Sequence, residues 1–422
     1  MPRTLRGGAA GRPRTALTAA GACLAFVAVL TSLLLGAPPA AADAIRQADW
    51  ALDALHAQRA WRTTEGEGAT VAVLDTGVDG THPDLTGQVL PGRDEIGFGA
   101  KPGQRAWARH GTGMAAIIAG HGHGPGGGSG VLGLAPRARI LPVRVILEDK
   151  DPQRQKARKS RGGALPAGIR WAVDHGADVI NLSLGDDSAA AAPVAAEAEA
   201  IQYALRKGVV VVASAGNGGE EADRSSYPAA YPGVIAVAAV DRHGVHAAFS
   251  TRRWYASVSA PGVDVVIADP DRTYYQGWGT SSASAYVSGA AALIRSAYPR
   301  LSPAQVKRVL QDTTRHRPKG GRSDALGTGL IDPAAALAAA RRLTPAPAVL
   351  VPAAYPQRYF APGPTPAPEP ADSVEVLVDG VTTAFAAVGT ALVATAALLW
   401  FRPRRPAGGY DEARRRTAAR GG

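Results

Sequence analysis

Residues 69–77 read ATVAVLDTG, six apolar or β-branched residues that run straight into Asp75, Thr76 and Gly77. A run with no polar face predicts a strand covered on both sides, the condition of a parallel sheet sandwiched between helices. Four further runs have the same character: 140–146 (ILPVRVI), 177–183 (ADVINLS), 209–213 (VVVVA) and 234–240 (VIAVAAV). Between them, 164–175 and 193–207 read as helices, each followed by a glycine (Gly176, Gly208) where a helix C-cap wants one. The expected fold class is therefore α/β, a mostly parallel central sheet with helices on both faces. Such sheets collect functional residues at the carboxyl ends of their strands, which draws attention to Asp75.

The ends of the chain carry a different message. Arg3, Arg6, Arg12 and Arg14 precede an uncharged apolar run over 16–35 and a small-residue exit near Ala42, the layout of a secretory signal peptide over 1–42. The only cysteine, Cys23, lies inside it, so a cleaved chain has no disulfide and no thiolate chemistry. Residues 381–400 (VTTAFAAVGTALVATAALLW) contain no charge, match the length of a transmembrane helix, and are followed by Arg402, Arg404 and Arg405. This predicts a single-pass cell-membrane protein with a basic cytoplasmic tail over 401–422 and its folded domain outside the membrane. Nine prolines between 344 and 373 predict an extended stalk. The folded unit is expected over 43–343, with the segment from Ile45 to about Glu65 kept as an N-terminal arm.

The formal net charge of +11 resembles a nucleic-acid footprint until it is located. The signal peptide holds +4 and the tail +5, leaving +2 for the exported part, so no nucleic-acid partner is expected. Residues 147–163 mix charges without apolar periodicity and read as a solvated loop.

Chemistry-bearing residues are ambiguous one at a time. Asp75 also suits a turn, and Asp79 and His82 follow within seven residues. His110 stands before Gly111-Thr112-Gly113 and a small apolar helix, where a structural histidine is equally natural. His121 and His123 lie in a glycine-rich loop with no third ligand at suitable spacing, so no metal is assigned. Asn217 ends an apolar strand in ASAGN, as a turn residue or an amide donor. In GTSSASAYVSG (279–289), Ser281 opens a helix whose free amides favour developing negative charge, whereas Ser282, Ser284 and Ser288 read as small residues permitting close packing.

Taken in order, Asp75, His110, Asn217 and Ser281 resemble the subtilisin-like serine proteases, through DTGVDGTHPDL, HGTGMAAIIAG, ASAGN and GTSSASAYVSG. The arm IRQADWALDALHAQRAW, the stalk, the span and the basic tail resemble the mycosins, membrane-anchored proteases associated with type VII secretion. The resemblance implies a serine endopeptidase in which Ser281 attacks the scissile carbonyl, His110 shuttles the proton, Asp75 orients His110, and Asn217 with the Ser281 amide holds the oxyanion. It implies that Ser183, Leu184 and Gly185 pair with the substrate backbone, and that Ala215 and Gly216 border the pocket for the residue before the cut. It implies protein or peptide substrates, no cofactor, and either a proteolytic or a structural part in a secretion membrane complex. Two departures stand out: Ala285 replaces a proline common in the family, and the exported domain lacks the cysteines of mycosins.

Overall fold

The computed structural model describes residues 44–347. The expected signal peptide, membrane span and tail, and most of the stalk, lie outside these residues. Among the described residues no helix is long and apolar enough to cross a membrane.

Seven strands form one parallel sheet: β1 (Thr70–Asp75), β2 (Arg93–Asp94), β5 (Arg139–Arg144), β6 (Val179–Leu182), β7 (Val210–Ser214), β8 (Ile235–Val240) and β9 (Ala256–Pro261), in the order β2-β5-β1-β6-β7-β8-β9. Two small antiparallel pairs stand apart, β3 (His121–His123) with β4 (Ser129–Leu132) and β10 (Val265–Ala268) with β11 (Tyr274–Gly277). The five runs read from the sequence all appear as strands, with ends displaced by one or two residues. The chain leaves β1 for β5 on one side and then returns to β6 on the other. The carboxyl end of β1 is thus the switch point of the sheet, where a crevice opens.

Alternate residues of each strand face opposite layers, as a period of two requires. Val71 and Val73 of β1 pack with Met114–Ala119 and with the long helix behind the sheet, while Ala72 and Leu74 pack with Ile169, Ala172 and Leu205. All four of these β1 side chains are completely buried. The helices are α4 (Arg109–Ala119), α6 (Ala164–Asp174), α7 (Ala195–Arg206), α8 (Thr280–Ala297), α9 (Pro303–Asp312) and α10 (Pro333–Ala340). Ala285 is buried in α8, which continues unbroken through it.

The N-terminal arm is three short helices, α1 (Ala44–Ala48), α2 (Trp50–Ala54) and α3 (Ala57–Trp61). Its Ala51, Leu55 and Ala60 are fully buried in the same core as α10. Indole N–H groups fasten it: Trp50 Nε1 donates to the Asp264 carbonyl (3.1 Å) and Trp61 Nε1 to the Leu134 carbonyl (2.8 Å). Burial pushes the Asp49 carboxyl up to about 7, and the Tyr286 hydroxyl of α8 hydrogen-bonds to it.

Residues 147–163 are not the solvated loop their composition predicts. They contain a helix, α5 (Arg154–Ser160), preceded by a buried Asp151. Asp151 Oδ1 accepts from the Gln153 amide and Oδ2 from the Ala100 amide, both at 2.8 Å. Ala157 is the one buried residue of α5. A single apolar anchor and a buried carboxylate bonded to two backbone amides supply the order, and neither leaves a periodic signal in sequence.

Candidate active site

Asp75 is the last residue of β1 and is completely buried. His110, in the first turn of α4, lies with Nδ1 2.8 Å from Asp75 Oδ1 and 2.9 Å from Oδ2. A carboxylate only accepts, so Nδ1 is the donor and Nε2 carries the lone pair when the ring is neutral. The approach depends on Gly111, where a Cβ would fall 2.0 Å from the Gly77 carbonyl oxygen. Only glycine lets the first turn of α4 lie on the end of β1. The His110 amide in turn donates to Glu148 Oε1 at 2.8 Å. Burial opposes the imidazolium, but the charge and hydrogen bond of Asp75, with Glu148 and Asp149 beyond, outweigh it and push the His110 pKa up to about 9.

Ser281 lies in the first turn of α8, a helix that packs against α4. Its Oγ donates to the Ser183 carbonyl at 3.2 Å rather than to His110; catalytic hydrogen bonds commonly tighten only once substrate is bound. Asn217 follows β7; its Oδ1 accepts from the Thr280 amide (3.0 Å) and from Thr280 Oγ1 (2.9 Å). Those donors fix the amide orientation, leaving Nδ2 as the outward donor. A Cβ placed on Gly279 would stand 3.7 Å from the Ser281 nitrogen and 3.9 Å from Asn217 Nδ2. Two N–H donors therefore border one small space beside Ser281, the geometry that suits an oxyanion. Gly279, at φ +149°, keeps that space free of a side chain. Replacing Asn217 with alanine is expected to lower kcat by about 10²–10³ with little change in KM, read from initial rates on a chromogenic peptide. An unchanged kcat would remove Asn217 from the site.

Ser284 and Ser288 do more than permit close packing. Asn181 of β6 is completely buried; its Nδ2 donates to Ser183 Oγ (2.9 Å), and its Oδ1 accepts from Ser288 Oγ (2.9 Å). Ser284 Oγ is 2.8 Å from Ser183 Oγ and 3.0 Å from the Ser281 carbonyl, which Ser183 Oγ also reaches at 2.9 Å. This network ties β6 to the first three turns of α8 and grips the Ser281 carbonyl from two sides. The sequence signal was available: serines at 281, 284 and 288 share one helical face. Asn181→Ala strands buried hydroxyls without their partner and is expected to lose about 2–3 kcal/mol of stability in urea unfolding. A loss under about 0.5 kcal/mol would show the network to be slack.

The expected substrate-binding residues lie on two neighbouring edges. Ser183, Leu184 and Gly185 follow β6, and Ala215 and Gly216 follow β7, its partner in the sheet. A Cβ on Gly185 would meet Ser226 Oγ at 2.4 Å, and one on Gly216 would meet Ser226 Cβ at 3.1 Å. Ser226, which no motif flagged, is thus buried against both edges. Trp278 also escaped notice; its ring is 67% exposed, three residues before Ser281, and leans on Phe249 at 4.9 Å.

The alternatives to Asp75 and His110 are used elsewhere. Asp79 Oδ1 accepts from the Thr81 amide and hydroxyl. His82 is buried, and its Nδ1 accepts from the Asp84 amide. His123 Nδ1 contacts Asp84 Oδ1 at 2.6 Å, and His121 Nε2 contacts the Thr86 carbonyl at 3.0 Å.

Known proteins share this architecture. Residues 66–329 match the subtilase family. Fervidolysin of Fervidobacterium pennivorans is 37% identical over 318 residues, covering 68% of this chain but 43% of that protein, so the chain spans less than half of fervidolysin. Subtilisin DY of Bacillus licheniformis is 36% identical over 274 residues, covering 64% of this chain and 92% of that protein. The crystal structure of MycP1 from Mycobacterium smegmatis superposes with a TM-score of 0.60 at 30% identity, over 76% of this chain and 90% of that one. The chain belongs to the subtilase family, and its folded domain is a subtilisin-like serine endopeptidase.

Proposed function

We propose that Ser281 is the nucleophile, that His110 takes its proton and returns it to the leaving amine, and that Asp75 holds the imidazole and stabilises the imidazolium. The observation that carries this reading is the seat of His110 Nδ1 on both oxygens of a fully buried Asp75. The Ser281 amide and Asn217 Nδ2 receive the oxyanion. Ser183, Leu184 and Gly185 pair with the substrate backbone, and Ala215 and Gly216 border the pocket for the residue before the cut. Every step uses side chains and amides of the protein itself; no cofactor enters.

The reading extends to place and partner. The uncharged run 381–400 anchors the chain in the cell membrane, with the protease domain outside and the basic tail in the cytoplasm. Its substrates are exported proteins, and it works with a type VII secretion system. Likeness to MycP1 from the ESX-1 type VII secretion system, at 30% identity and a TM-score of 0.59, supports that association. The same likeness supports a second reading, in which the domain is a structural subunit or cap of the secretion complex. The arm is retained in both, since removing it uncovers the buried Ala51, Leu55 and Ala60.

Proteomics of the culture medium from wild-type and Ser281→Ala strains tests these points together. Proteolysis predicts new substrate termini in wild type that vanish in the variant. Identical termini with secretion intact would favour the structural reading. Sequencing the membrane-bound chain is expected to give a mature N-terminus ahead of Ile45, and a start beyond Glu65 would overturn retention.

A further inference from the structure

Helix α5 and its C-cap residue present Lys156, Arg158, Lys159 and Arg161 to solvent. From Gln153 to Gly163 there is no acidic residue. Among the described residues the only ion pair of this helix is Arg154 with Asp149, at 2.7 Å. The neighbouring carboxylates are already occupied: Asp94 by Arg144, Glu95 by Arg93, and Asp151 by two backbone amides. Lys156 and Lys159 are three residues apart, as are Arg158 and Arg161, so like charges face each other on a short helix and repel. The carboxyl end of the helix dipole offsets part of this for Arg158 and Lys159. The repulsion is nevertheless held in place: Lys156 Nζ sits 4.6 Å over the Phe98 ring, Arg161 lies 5.6 Å from the same ring, and Ala157 pins the helix to the core.

The position of this surface matters as much as its charge. The segment that leads into α5 begins at Glu148, which accepts the His110 amide at 2.8 Å. The next residue, Asp149, pairs with the first residue of α5. An ordered set of unpaired cations therefore starts within one short segment of the candidate site.

We propose that Lys156, Arg158, Lys159 and Arg161 form a docking surface for an acidic segment of the protein substrate, beside the place where that substrate is cut. The proposal rests on the peptidase reading. An acidic segment relieves the repulsion among the four cations, and because they are exposed the attraction weakens with salt. Docking outside the reacting centre lowers KM and leaves the chemical step alone.

The test compares two fluorogenic peptides with the same cleaved core, flanked at both ends by four glutamates or by four glutamines, on the full-length protein in detergent. At low ionic strength kcat/KM is expected to be at least tenfold higher for the glutamate peptide, through KM, and the preference should vanish in high salt. The variant K156Q/R158Q/K159Q/R161Q is expected to erase the preference while cleaving the glutamine peptide at the wild-type rate. Equal kcat/KM for the two peptides, or a preference that survives the variant, would overturn the proposal. A second arm reads binding without catalysis: fluorescence anisotropy of the labelled glutamate peptide on Ser281→Ala protein, where the four substitutions should weaken Kd at least tenfold. If neither peptide is cut, the peptidase reading fails and this arm still decides the docking surface. Binding of phosphatidylglycerol vesicles by α5, with no peptide binding, would also overturn it.

Discussion

Replacing Ser281 with alanine is expected to lower kcat/KM for peptide hydrolysis by about 10⁶ while substrate still binds. The reason is local. Two hydroxyls lie on the first turn of α8 near the Asn217 amide, but Thr280 is completely buried and its Oγ1 is committed to Asn217 Oδ1 at 2.9 Å, which leaves Ser281. Its neighbours Ser284 and Ser288 point their hydroxyls into the buried network around Asn181. Neither is able to take over, and Ser282 is buried. The alanine variant keeps both hydrogen bonds to the Ser281 carbonyl and loses only the 3.2 Å bond from Ser281 Oγ to the Ser183 carbonyl. It should therefore fold and melt within about 1 kcal/mol of wild type. A variant that retains a hundredth of wild-type activity after purification free of other proteases would contradict the assignment.

Asp75→Asn is expected to lower kcat by about 10⁴, because an amide facing Nδ1 favours the wrong tautomer and withdraws the charge that supports the imidazolium. It should also move the pH profile. His110 acts as a base only when neutral, so kcat/KM rises with pH as its proton leaves. Burial acts against the imidazolium; the Asp75 charge and hydrogen bond reverse that and carry the His110 pKa up to about 9. The acid limb of the wild-type profile is thus expected well above the ordinary histidine value, giving an alkaline enzyme. In Asp75→Asn the limb should shift to lower pH while the plateau falls. Linkage gives the same sign for stability: a raised histidine pKa stabilises the fold fully below its unfolded value near 6.5, and that stabilisation is lost as pH climbs through about 9. A profile with its acid limb at or below pH 6 in wild type would be inconsistent with this electrostatic account.

Much of this was legible in the sequence for identifiable reasons. The strands were visible because both faces of the sheet are covered: Val71, Ala72, Val73 and Leu74 are all buried, and a run with no polar member betrays that directly. Asp75 draws attention as the charged residue ending such a run, but only in company with His110, Asn217 and Ser281 does it separate from an ordinary turn aspartate. His110, Asn217 and Ser281 acquired meaning only in order with Asp75, since the fold brings together residues far apart along the chain.

What the sequence hid depends on contacts with no period. Helix α5 is fixed by Asp151, Ala157 and Phe98, the last more than fifty residues before it. Ser226 became visible only through the close approach of Gly185 and Gly216. In GTSSASAYVSG, Ser284 and Ser288 look like mere packing residues because their partners, Ser183 and Asn181, lie at another strand. The ordered motifs select Asp75 over Asp79, and the structure adds that Asp79 serves its own turn.

The most direct measurement is labelling of the full-length protein with a fluorophosphonate, followed by digestion and mass mapping of the modified peptide. The predicted result is a single phosphonyl adduct on Ser281, absent from Ser281→Ala and strongly reduced in His110→Ala. An adduct on any other serine, or no adduct in protein shown to be folded, would contradict the central claim that Ser281 is the nucleophile of this protease.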